Sequence, residues 1–407
     1  MASSEPASKP RTGRRRWAVA TVVLGVALAL VVGVVVGTTG THSGSDVVTV
    51  TDDQCGGDSQ VAHPGRQIFS VVNASHHADE VMLADASGGT VAEIAVIGPG
   101  TTVDMPADLA NGTYTFNCFS DLGVMASAPV RVTGATSGSP TPALQMVTVD
   151  MLVGPNDDYE TYAAQQLATL GAAVTTIQQD LMADNLTAAR SDWLSAELDW
   201  ERVGASYDSF GAEGEAVDGL PDGLPGGVDD PNFIGLHRLE YGLWHGQSAS
   251  TLLPITKTLS ADIATLQGNL DSTLIAGDPT NLPTRAHEIL EDSLRDHLSG
   301  IDDLGAGAAY AETAADLQAT RVILGELAPL IAPRAPTLVA TADAQMDALQ
   351  SALSATQDNG QWQPAQQVSQ AAHEQVNAAL GALLETLAPV PDLLQVPGIA
   401  ASGGGDS

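Results

Sequence analysis

The chain has 407 residues and a formal net charge of −34, because 49 Asp and Glu outnumber 15 Lys and Arg. So acidic a surface repels phosphate backbones and attracts cations, which argues against nucleic acid as a partner. Hydrophobic residues make up 44% of the chain, which is ample for a core and argues against global disorder. The length suggests two or three domains.

A basic tail and a long apolar segment open the chain. Residues 1–16 end in RTGRRR, and residues 17–36 carry no charge over about the 20 positions that a membrane-spanning helix needs. Positive residues stay in the cytoplasm, so the remainder is expected outside, in the cell envelope or periplasm. We therefore expect a transmembrane anchor at 17–38, with a cleaved signal peptide as the alternative.

Residues 47–134 have the pattern of a small β domain. Short segments rich in β-branched residues alternate with Gly, Pro, Asn and Asp, which favours an antiparallel sandwich. The seven predicted strands are VVTVT, RQIFSVV, EVMLA, VAEIAVI, TTVDM, GTYTFNC and APVRVT. Residues 135–154 are expected to be a linker that ends in a strand-like LQMVTVDML.

From about residue 157 the hydrophobic period becomes helical. Apolar side chains recur at steps of three to five on one face, as in Tyr162, Leu167, Leu170, Val174 and Ile177. An all-α bundle is therefore expected over 155–390, followed by a disordered tail at 391–407. Residues 211–230 are rich in Gly, Pro and Asp and are expected to form a long functional loop.

The segment NFIGLHRLEYGLWHG places His237 and Glu240 three residues apart among large apolar side chains. On a helix this spacing puts both side chains on one face, where they can reach the same point. Imidazole nitrogen and carboxylate oxygen suit iron, zinc or copper. A single His–Glu pair with this spacing is weak evidence for a metal site, because a hydrogen bond between the two side chains would also explain it.

The preceding helix strengthens the metal interpretation. Glu197 and Glu201 are four residues apart between tryptophans, where like charges repel each other and a cation would relieve the repulsion. Asp218 precedes the His237 helix and can join Glu201, His237 and Glu240 in an oxygen-rich site. The alternative is that Glu197 faces solvent and Glu201 pairs with Arg202 or Arg238.

These motifs resemble the G-x-H-x-x-E signature of imelysin-like proteins, and in particular the EfeO/EfeM family of extracytoplasmic iron-uptake components. The matching segments are Trp200-Glu201-Arg202, Val217-Asp218 and Gly235-Leu236-His237-Arg238-Leu239-Glu240, with RAHEILEDSLRDHLSG further along. The resemblance covers about 155–390 and implies that Glu201, Asp218, His237 and Glu240 bind the metal, expected to be Fe³⁺. It also implies a membrane iron permease and a haem peroxidase as partners. Here Leu236 replaces the usual Phe and Trp200 the usual Tyr.

Some members of that family carry an N-terminal cupredoxin-like domain, and residues 47–134 look similar to it. No histidine lies between Cys118 and Met125, so a blue-copper site is not expected. The resemblance instead implies Cys55, Glu80, Glu93 and Cys118 as ligands for copper or iron. The alternative for the two cysteines is a disulfide, which an exported chain favours.

We expect an iron-binding transport component rather than an enzyme. A metallopeptidase is a weaker alternative, because His287 and His373 each precede Glu but lack the second histidine of H-E-x-x-H. A surface binding module with a purely structural metal is the other alternative.

Overall fold

The computed structural model describes residues 47–56, 63–135, 139–207 and 209–397. Strands come first and helices follow, which confirms the expected order of a β region and a helical region. Within the described residues, the helices are all too short or too polar to cross a bilayer. The anchor expected at 17–38 lies outside the described residues, and so does the tail expected at 391–407 from residue 398 onward. Residues 391–393 of that tail instead belong to a short helix, Val390–Leu393.

The β region consists of two sheets. The first has the order β2-β1-β3-β6 and contains β1 (Val47–Thr51), β2 (Gln54–Cys55), β3 (Gly65–Asn73) and β6 (Thr102–Leu109). The second has the order β10-β5-β4-β7-β8 and contains β4 (Asp79–Asp85), β5 (Gly89–Ile97), β7 (Gly112–Ser120), β8 (Gly123–Ala126) and β10 (Leu144–Gln145). The strand β9 (Val130–Val132) pairs with β7. All seven predicted segments form strands, but β1 and β3 run parallel instead of antiparallel.

Alternation buries one face of strands such as β1 and β7, as the period of two predicts, whereas β4 is buried on both faces. Phe69 on β3 meets Phe116 on β7 edge to face, with ring centroids 5.3 Å apart. A disulfide joins Cys55 to Cys118 across this core, with their Cα atoms 5.7 Å apart. The bond therefore ties the end of the first sheet to a central strand of the second.

The helical region contains ten helices among the described residues. They are α1 (Val149–Met182), α2 (Leu186–Glu201), α3 (Gly211–Asp218), α4 (Gly235–Trp244), α5 (Ala249–Gly268), α6 (Leu282–Asp292), α7 (Ala309–Ile331), α8 (Leu338–Ser354), α9 (Gln370–Leu387) and α10 (Val390–Leu393). Two expectations were wrong in detail. Helix α1 begins inside the expected linker, and α3 occupies part of the segment expected to be a loop.

Helix α1 is long because its buried side chains recur every three or four residues along its whole length. Tyr159, Leu167, Leu170, Val174 and Ile177 are fully buried on this stripe. The stripe packs against α2, α5 and α7. Helix α7 differs, because every residue from 308 to 317 is buried and small alanines let neighbouring helices approach on all sides. Two acidic residues in that stretch are consequently enclosed by protein.

Candidate metal centre

Helix α4 carries the His237 motif and is held in place at its N-terminal end. Gly235 begins the helix with φ of +86°, and a Cβ there would lie 2.7 Å from the carbonyl carbon of Val217. Glycine therefore allows α4 to start directly against the end of α3, where Asp218 lies. The indole N–H of Trp193 on α2 donates to the Leu236 carbonyl at 3.0 Å, which fixes the register of α2 and α4.

His237 lies between two carboxylates. Its Nδ1 is 3.3 Å from Glu240 Oε2, and its Nε2 is 3.6 Å from Asp218 Oδ1. Glu240 is held in turn, because its Oε1 accepts the backbone N–H of Leu304 at 3.0 Å and of Ala306 at 2.9 Å. Three of the four residues predicted from the motifs thus meet around one imidazole.

Glu197 completes this group. One oxygen of Glu197, one of Asp218 and one imidazole nitrogen of His237 all lie within 4.8 Å of one another, close enough to share a metal ion. Glu197 is fully buried, and neither of its oxygens has a hydrogen-bond partner among the described residues. The alternative in which Glu197 faces solvent is therefore wrong.

Glu201, the fourth predicted residue, contacts a second imidazole. His297 Nε2 lies 3.6 Å from Glu201 Oε2 and 3.1 Å from Asp316 Oδ2. Its Nδ1 contacts Asp302 and lies 3.7 Å from Glu312 Oε2. Glu201 does not pair with the arginines considered from the sequence, since Arg202 binds Asp199 at 2.9 Å and Arg238 binds Gln247 at 3.0 Å.

Both groups face one cavity of about 930 Å³. Its walls include Glu201, Asp218, His237, His297 and Asp316. Trp200, which stands where the resemblance expects a tyrosine, also lines the cavity and packs edge to face on Phe210. An indole has no oxygen to offer a metal, so the oxygens here come from carboxylates.

Burial changes the pKa values of the ionisable side chains in the cavity. Desolvation raises the pKa of Glu201 to about 7, with Asp316 adding to the rise and His297 opposing it. Desolvation also raises the pKa of Asp218 to about 7 against the opposing effect of His237. Desolvation lowers the pKa of His237, but Asp218, Glu240 and Asp302 outweigh it and raise the value to about 10.

The same forces act on Glu197 and His297. The pKa of Glu197 rises well above its usual value through desolvation and then repulsion from Asp218 and Glu312. The pKa of His297 also rises well above its usual value, because Glu201 and Asp302 outweigh the desolvation that lowers it. The arrangement concentrates negative charge around two imidazoles, and a bound cation would relieve the repulsion.

The structure does not bring the four residues of the expected β-domain site together. Cys55 and Cys118 form a disulfide and therefore offer no thiolates, which corrects their assignment as metal ligands. Cys118 pairs with Val81 on the inner face, while the neighbouring Glu80 pairs with Phe119 on the other face. Glu93 is exposed and lies opposite Met82, so it too is on the outer face.

Four acidic or imidazole side chains in or beside the cavity could not be assigned from the sequence. These are His297, Asp302, Glu312 and Asp316, of which all but Asp302 lie on helical segments. His297 falls inside RAHEILEDSLRDHLSG, which was singled out as a segment but not as a source of ligands. Glu312 and Asp316 are four residues apart in an alanine-rich run, a spacing that places both on one face.

Carboxylates and imidazoles that meet in a cavity of a helical bundle are the donor set that suits hard or borderline metal ions. The chain belongs to the imelysin family, since the Imelysin model, which also carries the name Peptidase_M75, matches residues 156–390. It is similar to the iron uptake system component EfeO of Yersinia pseudotuberculosis, with 24% identity over 347 residues, 85% of this chain and 90% of the relative. The protein of the same name from Escherichia coli K12 is 22% identical over the same shares of both chains.

Proposed function

We propose that this chain is the extracytoplasmic iron-binding component of a bacterial EfeUOB-type iron uptake system. The cavity binds iron, expected as Fe³⁺, through Glu201, Asp218, His237 and Glu240. The observation that carries the proposal is His237, held between Asp218 and Glu240 in a cavity that Glu201 also lines. The relatives named as iron uptake components support iron over copper or zinc.

A transport role fits the chemistry of these ligands. Carboxylate oxygens bind Fe³⁺ well, and a cavity with an open mouth lets the ion leave, unlike a closed thiolate cage. We infer that the ion passes to a membrane permease of the same system, after oxidation by a partner haem peroxidase. The strong negative charge of the chain favours cation capture at a distance.

The remaining parts of the chain have proposed roles of their own. Residues 1–16 form a cytoplasmic tail, residues 17–38 an anchor or signal, and residues 155–390 the iron-binding domain. Residues 47–134 are proposed to be a cupredoxin-like Greek-key domain that serves as a docking module. The two packed sheets and the parallel β1–β3 pair support that assignment.

The test is an iron titration of the full-length protein with the matched variants His237→Ala and His245→Ala. His245 lies at the exposed end of the same helix and stacks on Tyr241, outside the cavity. We expect His237→Ala to weaken Fe³⁺ binding at least tenfold and His245→Ala to leave it unchanged. Equal affinity in both variants would overturn the assignment, and metal-dependent cleavage of a peptide library would favour a peptidase.

A further inference from the structure

The cavity contains a second set of ligand-type atoms that shares no residue with the His237 set. One set is Glu197, Asp218 and His237, and the other is Glu201, His297 and Asp316. In each set the three ligand atoms lie within 4.8 Å of one another. Each set therefore has the size of a coordination sphere and its own imidazole.

Two further carboxyl groups lie next to the second set, on the other side of its imidazole. Asp302 and Glu312 both face His297 Nδ1, and with His297 they form a third group whose ligand atoms lie within 4.8 Å. Asp302 is 4% exposed, and its Oδ1 has no hydrogen-bond partner among the described residues. A buried carboxylate oxygen without a partner is costly, because it loses its hydration without replacement. Asp302 also holds Nδ1 of His297, as a carboxylate does behind a metal-binding imidazole. This leaves Nε2 directed at Glu201 and Asp316.

The number of donor groups around the cavity also exceeds the roughly six that one ion of this kind binds. Two imidazoles face seven carboxyl groups, namely those of Glu197, Glu201, Asp218, Glu240, Asp302, Glu312 and Asp316. The arginines nearby have other partners. Arg285 donates to Ser209 Oγ and to the Ile275 carbonyl, and Arg295 pairs with Asp292 and Asp296.

We propose that the cavity holds two cations, with the second bound by Glu201, His297 and Asp316 and supported by Asp302 and Glu312. This inference rests on the proposed iron-binding function and divides its ligands between two positions. Glu197 and Glu201 serve different positions because four residues advance a helix by about 6 Å along its axis. Both positions take a hard or borderline cation such as Fe³⁺, and the two ions are cargo.

The experiment counts bound ions in the full-length protein. Fe³⁺ is supplied as its nitrilotriacetate complex, free iron is removed by gel filtration, and iron per chain is measured by elemental analysis. We expect two ions per chain in the unchanged protein and one in each of the variants His237→Gln, Asp316→Asn and Glu312→Gln. Asp347→Asn, an exposed carboxylate on α8 that pairs with Arg321, should keep both ions.

Each outcome separates the two proposals. One ion in the unchanged protein, lost in His237→Gln and kept in Asp316→Asn, overturns the second position and leaves the proposed function standing. Absence of iron from the unchanged protein overturns both. Circular dichroism checks that each variant folds, and Glu312→Gln replaces Asp316→Asn if the latter does not. Co²⁺ absorption gives a second readout, because loss of one position changes the d–d spectrum of only one ion.

Discussion

Glu197 and Glu201 lie on successive turns of α2, and each is grouped with a different imidazole: Glu197 with His237 and Glu201 with His297. Two carboxylates that are four residues apart on α2 thus belong to two ligand sets. The other members of the first set lie on α3 and α4, and those of the second lie on α7 and in the turn after α6. Repulsion between the two carboxylates is the cost of this arrangement in the metal-free protein, because both are desolvated.

The variant Glu197→Gln should stabilise the metal-free protein and weaken its iron binding. The amide keeps the shape of the side chain but removes the cost of burying a carboxyl group that desolvation, Asp218 and Glu312 oblige to take up a proton. We expect Tm to rise by a few degrees without metal, since about 1 kcal/mol corresponds to a few degrees in a protein of this size. Fe³⁺ affinity should fall about tenfold, measured by competition with a chelator. Glu374→Gln, an exposed change on α9, should alter neither quantity.

Stability of the metal-free protein should fall as the pH rises from 5 to 8. Burial raises the pKa of Glu201 from 4.5 to about 7 and that of Asp218 from 3.8 to about 7. The stabilisation that comes from protonating these two carboxyl groups is complete below their unfolded pKa values and is lost as the pH rises through about 7. The raised pKa of His237 acts in the same direction between 6.5 and about 10. Thermal melts at a series of pH values in the presence of a chelator test this.

Iron should reverse that trend, because the ion needs ionised carboxylates and neutral imidazoles. The difference in Tm between iron-loaded and metal-free protein should therefore grow from pH 5 to pH 8. A metal-free protein whose Tm rises over this range would contradict the assigned pKa shifts. A difference that stays constant would mean that iron binds without displacing protons, and so outside this cavity.

The variant Gly235→Ala should displace α4 and weaken iron binding about tenfold or more. Its added Cβ would lie 2.7 Å from the Val217 carbonyl carbon and 3.1 Å from the Asp218 nitrogen, so α3 and α4 must separate. Gly246→Ala is a matched control, with φ of +74° but open space around the new Cβ. Both variants should lose about 1–2 kcal/mol of stability through backbone strain, but only Gly235→Ala should lose iron affinity.

The double variant Cys55→Ser, Cys118→Ser should destabilise the β domain without changing the iron content of the bundle. The disulfide closes a loop with a sequence separation of 63 residues, which corresponds to about 4 kcal/mol in the chain-entropy account. Denaturant unfolding measures the loss, and elemental analysis measures the iron. Iron lost together with the cysteines would instead favour the thiolate interpretation of this pair.

The part of the site that could be predicted from the sequence is the part encoded locally. His237 and Glu240 are three residues apart on one short helix, so their meeting needs only the helical period. Glu201 and Asp218 followed from the resemblance, and the structure places both in the same cavity. His297 and Asp316 depend on how α7 packs against α2, a contact between distant segments that no local pattern reports.

The fold was predictable to a similar extent. The period of two identified the β strands correctly, whereas the start of α1 at Val149 was missed because Gly154 and Pro155 disfavour a helix interior. Tertiary packing overrides that preference, since Leu152 and Tyr159 on either side are fully buried. Helix α3 was missed for the same reason, as the glycines around it indicate a loop and the burial of Val217 holds it helical.

The turn that follows α6 makes the cavity sensitive to chain length as well as to residue type. Ser293–His297 forms a π-helical turn, in which the Leu298 N–H donates to the Ser293 carbonyl five residues back. This wider turn contains one residue more than an α-helical turn would, and His297 reaches the cavity from its end. A deletion of one residue here, such as the half-exposed Leu294, would restore the tighter winding and rotate the imidazole by about 100°. Insertions and deletions between residues 293 and 297 should therefore be tolerated less well than substitutions at the exposed positions of the same turn.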